Sequence, residues 1–137
     1  MIGRLHHLVI DCPDPELLAA FYSRLLGHPV TYRSPDFVVV AAAEDTSGLA
    51  FQRAPDHEPP DWPDPHRPQQ MHLDVMVEDP EVADAAVRAI GARRLAAGDH
   101  VYADPAGHPF CLIRRPSWAA PLVDAAGRAA PRPAPRA

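Results

Sequence analysis

The stretch HHLVIDCPDPELLAAFYSRLLG, residues 6–27, decides the fold, because the chain repeats its pattern 65 residues later as MHLDVMVEDPEVADAAVRAIGA, residues 71–92. His7-Leu8 falls on His72-Leu73, Asp14-Pro15-Glu16 on Asp79-Pro80-Glu81 and Ala20 on Ala85, six identities in the twenty positions from His7 to Leu26. Each copy reads as an alternating strand and then a helix start, with Asp as N-cap, Pro at the first helical position and Glu in the first turn. An apolar stripe follows in both: Leu18, Phe21, Tyr22, Leu25 and Leu26 before Gly27, and Val82, Ala86, Val87 and Ile90 before Gly91. A duplicated strand-helix opening predicts two modules of one design.

Working outward, each helix is followed by three short strand-like segments punctuated by turns. These are Val30 to Arg33, Phe37 to Ala42 and Leu49 to Arg53 in the first half, and Arg93 to Leu95, His100 to Ala103 and Phe110 to Arg114 in the second. The expected fold is therefore α+β: two tandem βαβββ modules forming a curved mixed sheet around a cavity. Module one is expected at 4–54, a linker at 55–69 and module two at 70–115, within a single domain of residues 1–116. Of 18 prolines, eleven fall in 55–68 and 116–135, which marks the linker and an Ala/Pro/Arg-rich tail, 117–137, too poor in bulk to bury and expected to be mobile.

A chain of 137 residues, 47% hydrophobic and 23% charged, has the size and composition of one packed domain. Its 13 basic residues, all arginine, face 18 acidic ones; a net charge of -5 gives no basic footprint for nucleic acid or anionic lipid. No apolar run approaches the roughly 18–20 residues of a bilayer span. Arg4, His6, His7 and Asp11 interrupt the region a secretory signal would need, and two cysteines do not make a disulfide framework, so the cytoplasm is expected.

In a strand, residues two apart share a face, which sets His7, Val9 and Asp11 together in the first copy and His72, Asp74 and Met76 in the second. A second alignment, at an offset of 59, puts Gly48 on Gly107 and Phe51 on Phe110, making Gln52 the counterpart of Cys111. The candidate ligand-binding residues are His7, Val9, Gln52, Trp62, His72, Asp74 and Cys111. Asp74 either works with His72 as an acid/base pair or forms a buried ion pair with an arginine. Cys111, inside the run Phe110-Cys111-Leu112-Ile113, is either a thiolate ligand or a small core residue. Trp62, in a proline-stiffened loop, either caps the cavity over an aromatic ligand or staples the linker to the body. His6 is expected to face away from His7; it, His28, His57, His66 and His100 are expected at exposed or turn positions. His108 is expected in a solvent-exposed turn, and Phe21 and Tyr22 in the packing. Ser-His-Asp, phosphate-loop and HExxH patterns are absent from the sequence.

Two βαβββ units joined by a linker of about fifteen residues, with the stretches HHLVIDCPDPELLAAFYSRLLG, PPDWPDPHRPQQMHLDVMVEDPE and DPAGHPFCLI, resemble the glyoxalase/bleomycin-resistance/dioxygenase superfamily, the vicinal oxygen chelate proteins. The resemblance covers residues 4–115 and is to the glyoxalase-like branch. Metal enzymes of that superfamily place His or Gln on the first strand of each half and Glu on the last. Carried over, these roles fall on His7, Gln52, His72 and Cys111, and both glutamates are missing. A glyoxalase-type mechanism needs a metal and a neighbouring carboxylate to move a proton, and Gln52 cannot act as a base. The resemblance therefore implies a small-molecule-binding protein with a largely metal-free pocket for an apolar or aromatic ligand, such as a sequestered antibiotic, and no cofactor. The alternative it implies is a lyase or isomerase. That enzyme either holds zinc, nickel or manganese on His7 and His72, with Gln52 and Cys111 as further ligands, or works metal-free with His72 and Asp74 as catalytic residues. A homodimer is also implied.

Overall fold

The structure, a computed structural model, describes residues 1–122. Its element order is β1 (His7–Cys12), α1 (Pro15–Leu26), β2 (Val30–Ser34), β3 (Phe37–Val40), β4 (Gly48–Arg53), β5 (Leu73–Val77), α2 (Pro80–Ala89), β6 (Arg93–Arg94), β7 (Val101–Ala103) and β8 (Pro109–Arg114). This is βαβββ twice. The strands are hydrogen-bonded as two four-stranded sheets, β1-β4-β3-β2 and β5-β8-β7-β6, rather than as one continuous sheet. In each, the first strand runs parallel to the last and the remaining pairs are antiparallel. Thus β1 and β5 are both edge strands.

The helix ends follow from their sequences. The Asp14 carboxylate accepts the Leu17 N–H at 3.0 Å and Asp79 accepts that of Glu81 at 3.0 Å, each satisfying a donor that the first turn leaves unpaired. Gly27 closes α1 in the left-handed region at φ 66°. Asp14→Ala is expected to lower stability by about 1 kcal/mol, read as a shifted urea midpoint with unchanged slope.

Both modules share one core. On α1, Leu18, Phe21 and Tyr22 pack with Val38, Val40 and Phe51 of the first module and with Tyr102, Phe110 and Leu112 of the second. Tyr22 stacks on Phe51 at 5.2 Å, while Phe21 meets Phe110 edge-on at 5.9 Å. The helix is therefore a wedge between modules, and burial of its rings holds them together. Away from the helices, Val39, Ala41 and Ala50 form a small second cluster with Phe37.

The ladder registers correct one correspondence drawn from sequence. Val9 pairs with Ala50, whereas Asp74, its repeat partner, pairs with Cys111. Ala50, not Gln52, is thus the counterpart of Cys111. A slip of two residues keeps the same face, so face assignments survive it, but Gln52 sits about 7 Å further along the strand. Of the tail expected to be mobile, residues 123–137 lie outside the described residues. Before them the chain is tied to the body, with the Leu122 N–H donating to Glu78 at 2.6 Å and the Arg115 guanidinium to the Ala119 carbonyl at 2.5 Å.

Candidate functional site

The edges of β1 and β5 flank a cleft of about 460 Å³. Leu8 to Asp11 form one wall, His72, Leu73 and Pro109 another, and the linker covers them with Pro59, Pro60, Pro68 and Met71. Prolines suit this cover because they fix the backbone and present apolar rings without an N–H that would need a partner. The Arg67 guanidinium donates to the Pro59 carbonyl at 2.7 Å and the Asp61 N–H to the Arg67 carbonyl at 2.9 Å, which sets the linker as a defined strap. The polar groups that reach the cleft include His57, Glu58, Arg67, Gln70 and His108.

Of the seven candidate ligand-binding residues, Val9 and His72 line this cleft. His72 also belongs to a second grouping. Its ring, the Asp74 carboxylate and the Cys111 thiol each bring a donor atom within 4.8 Å of the others. The i, i+2 spacing puts the first two on one face, and the parallel ladder sets Cys111 directly beside Asp74. The His72 Nε2 lies 3.5 Å from Asp74 Oδ1, and the two side chains are 43% and 54% exposed. Asp74 is therefore neither buried nor paired with an arginine among the described residues; its neighbour is His72. Burial first, and the Asp74 charge second, push the Cys111 thiol above its usual value, so it is held as a thiol rather than a ready nucleophile.

His7 is turned elsewhere. Its Nδ1 accepts the Gly48 N–H at 3.2 Å, and its ring lies 3.9 Å from that of His6 at an interplanar angle of 34°, so the two imidazoles lie side by side rather than diverging. Burial, then the neighbouring His6, lower its pKa. Trp62 is half-buried in the linker and outside the cleft walls. The four ligand positions carried over from the metal enzymes therefore fit only in part: His72 and Cys111 converge, His7 engages Gly48, and Gln52 stands level with Asp11.

Sequence reasoning missed the polar network between the modules. The Asp104 carboxylate, 0% exposed, accepts the Tyr22 hydroxyl at 2.8 Å and the N–H groups of Ala106 at 2.8 Å and His108 at 3.0 Å. It also takes the His108 Nδ1 at 2.9 Å. The other His108 nitrogen, Nε2, is 2.9 Å from the Asp11 carbonyl. Both ring nitrogens thus face acceptors, an arrangement that the doubly protonated imidazolium satisfies in full. Burial opposes this charge, but the Asp104 hydrogen bond and charge, with help from Asp11, outweigh it and raise the His108 pKa. Burial, reinforced by Asp104, raises that of Tyr22. The His57 ring packs 4.9 Å from His108 while its Nε2 donates to the Ala106 carbonyl at 3.2 Å. Tyr22 therefore has a polar role beyond packing, and His57 and His108 are structural participants rather than solvent-facing turn residues. The available signal was the turn Asp104-Pro105-Ala106-Gly107, whose leading Asp is a residue that bonds its own following backbone.

A tandem βαβββ chain with a covered cleft between first strands defines a glyoxalase-type scaffold. Residues 7–113 match the family model described as a glyoxalase-like domain, and the chain belongs to that family. Among solved structures it is similar to a glyoxalase/bleomycin resistance protein/dioxygenase family enzyme from Burkholderia phytofirmans PsJN, at 18% identity, TM-score 0.62, covering 82% of this chain and 98% of that one. It is also similar to the oxidase ChaP-H2, at 20% identity, TM-score 0.57, with 85% and 96% covered. A bleomycin-binding protein complexed with bleomycin matches at 17% identity, TM-score 0.51, with 85% and 100% covered. No curated protein matches the chain. These likenesses establish the fold; they do not carry an activity.

Proposed function

We propose that this chain is a small-molecule-binding protein whose cleft takes an apolar or aromatic ligand, an antibiotic-like natural product being the type, without needing a metal to do so. The cleft itself carries the reading: about 460 Å³ of space between Leu8, Val9 and Ile10 on one side and Leu73, Met71 and Pro109 on the other. That volume and lining are those of an organic-ligand site, with burial of apolar surface as the driving force. The structural likeness to a bleomycin-binding protein supports it. In a panel of aromatic and natural-product compounds, a true ligand at about 100 times its Kd should stabilise the fold by about 2.7 kcal/mol. Val9→Trp, which fills the cleft from a half-exposed strand position, should abolish that gain while leaving the unliganded melting point near its original value. A panel without any stabilising compound, or a gain that survives Val9→Trp, sinks the reading.

A second reading, a glyoxalase-like lyase or isomerase, is favoured by the Asp74 carboxylate beside His72 at the cleft edge. There Asp74 would accept a proton and His72 would orient the substrate. Its mark is turnover lost in Asp74→Asn with ligand binding kept. The sheet edges away from the cleft, β2 and β6, also favour pairing between chains, and the proposed state is a cytoplasmic homodimer. Light scattering should give twice the 14.9 kDa of one chain. No helix among the described residues is long and apolar enough to cross a membrane.

A further inference from the structure

The two modules descend from one pattern but differ at two of three equivalent positions. Module two places together His72, just before β5, Asp74 on β5 and Cys111 on β8. By ladder register, module one has His7, Val9 and Ala50 at the same places. Only the histidine is common, and in module one its Nδ1 is engaged by Gly48. A soft-to-borderline donor set of imidazole, carboxylate and thiol, with donor atoms within 4.8 Å of one another, has therefore been assembled in one module alone. In the other module valine and a fully buried alanine stand where the carboxylate and thiol would be.

We propose that His72, Asp74 and Cys111 form a three-ligand site for zinc or a zinc-like divalent ion, supplied wholly by module two, without His7 or Gln52. Zinc accepts N, O and S donors at about 2.0–2.3 Å, so donor atoms this close need only small side-chain movement to meet one ion. Three protein ligands leave a tetrahedral ion one open position, the arrangement of catalytic rather than structural zinc sites. His72 also lines the cleft, which puts that site at its edge. The half-exposed His72 and Asp74 leave an entry path from solvent. The site does not depend on the cleft taking an organic ligand through its apolar walls.

The full chain without a histidine tag, stripped with chelator and titrated with cobalt(II) at neutral pH, tests this directly. One equivalent should bind with intense visible bands of a tetrahedral ion and a near-ultraviolet thiolate-to-cobalt band, and added zinc should displace it. Cys111→Ser should remove the thiolate band, and His72→Ala and Asp74→Asn should each weaken binding about tenfold or more. His7→Ala and Gln52→Ala should change nothing. Circular dichroism of each variant checks the fold, above all for Cys111→Ser, whose position is half-buried on β8. Absence of cobalt binding, binding without a thiolate band, or loss in His7→Ala as large as in His72→Ala overturns the one-module site. Running the ligand panel on the chelator-stripped protein separates this result from the cleft reading, since apolar binding should persist there.

Discussion

Asp104→Ala is expected to destabilise the protein by about 3–5 kcal/mol, the cost of removing one partner from a buried ion pair. The substitution strips the acceptor from Tyr22, from the Ala106 and His108 N–H groups and from the His108 ring in one step. Those groups join α1, the turn before β8 and, through the His108 Nε2, the carbonyl of Asp11 on β1. Since a domain of this size is stable by only about 5–15 kcal/mol, the loss would take much of the total. Urea unfolding should show it as a lower midpoint, and Tyr22→Phe, which removes a single donor, should cost only about 1 kcal/mol. A loss below that figure for Asp104→Ala would show that the network does not clasp the modules.

The same clasp predicts a pH dependence whose sign is fixed. The folded-state pKa of His108 lies above its ordinary 6.5, so the folded chain holds the proton more tightly than the unfolded one. The stabilisation is fully present below 6.5 and fades as pH rises through the higher folded value. His7 works in the opposite sense, because its lowered pKa gives stability present above 6.5 and lost as pH falls. Wild type should therefore lose stability on the alkaline side of 6.5 relative to His108→Gln, whose curve should be flatter there. Denaturant midpoints of the two proteins across neutral to mildly alkaline pH provide the check.

Periodicity and caps made the modules legible, since Asp14-Pro15-Glu16 and Asp79-Pro80-Glu81 state a helix start through local chemistry. Alternation put His72 and Asp74 on one face, but in β1 it did not sort the cleft wall: Leu8 and Ile10 line it along with Val9 and Asp11, while His7 is turned to Gly48. The level of one strand against its neighbour was not legible: only the ladder puts Cys111 beside Asp74 and Ala50 beside Val9. Nor was the Asp104 clasp: the turn that Asp104 leads was readable, but nothing local pairs it with Tyr22, 82 residues away. His7 and His72 repeat each other in sequence, yet one meets a backbone amide and the other a carboxylate. What divides them is the residue two positions on: valine in one copy and aspartate in the other.

Gly107→Ala joins the strap to the cleft. Gly107 has φ +94°, a region L-residues rarely adopt, and an added Cβ would overlap that of Pro59 and come within 3.2 Å of its Cγ. Backbone strain of this kind costs about 1–3 kcal/mol, and forcing atoms into an occupied contact costs about 1–3 kcal/mol more. The second cost has an outlet, since Pro59 belongs to the linker and the strap can lift where a sheet cannot. Lifting it would open the cover of the cleft, because Pro59 and Pro60 line it and Pro59 also holds Arg67 through its carbonyl. The variant should thus lose stability and, at temperatures where it remains folded, bind any cleft ligand more weakly, chiefly through a faster off-rate. Pro59→Gly in the same background gives the added methyl room, so it should recover part of the stability without recovering the affinity, since the apolar cover is then gone. Restoration of both would place the strap outside the binding site, and restoration of neither would make the turn strain, rather than the contact with Pro59, the source of the damage.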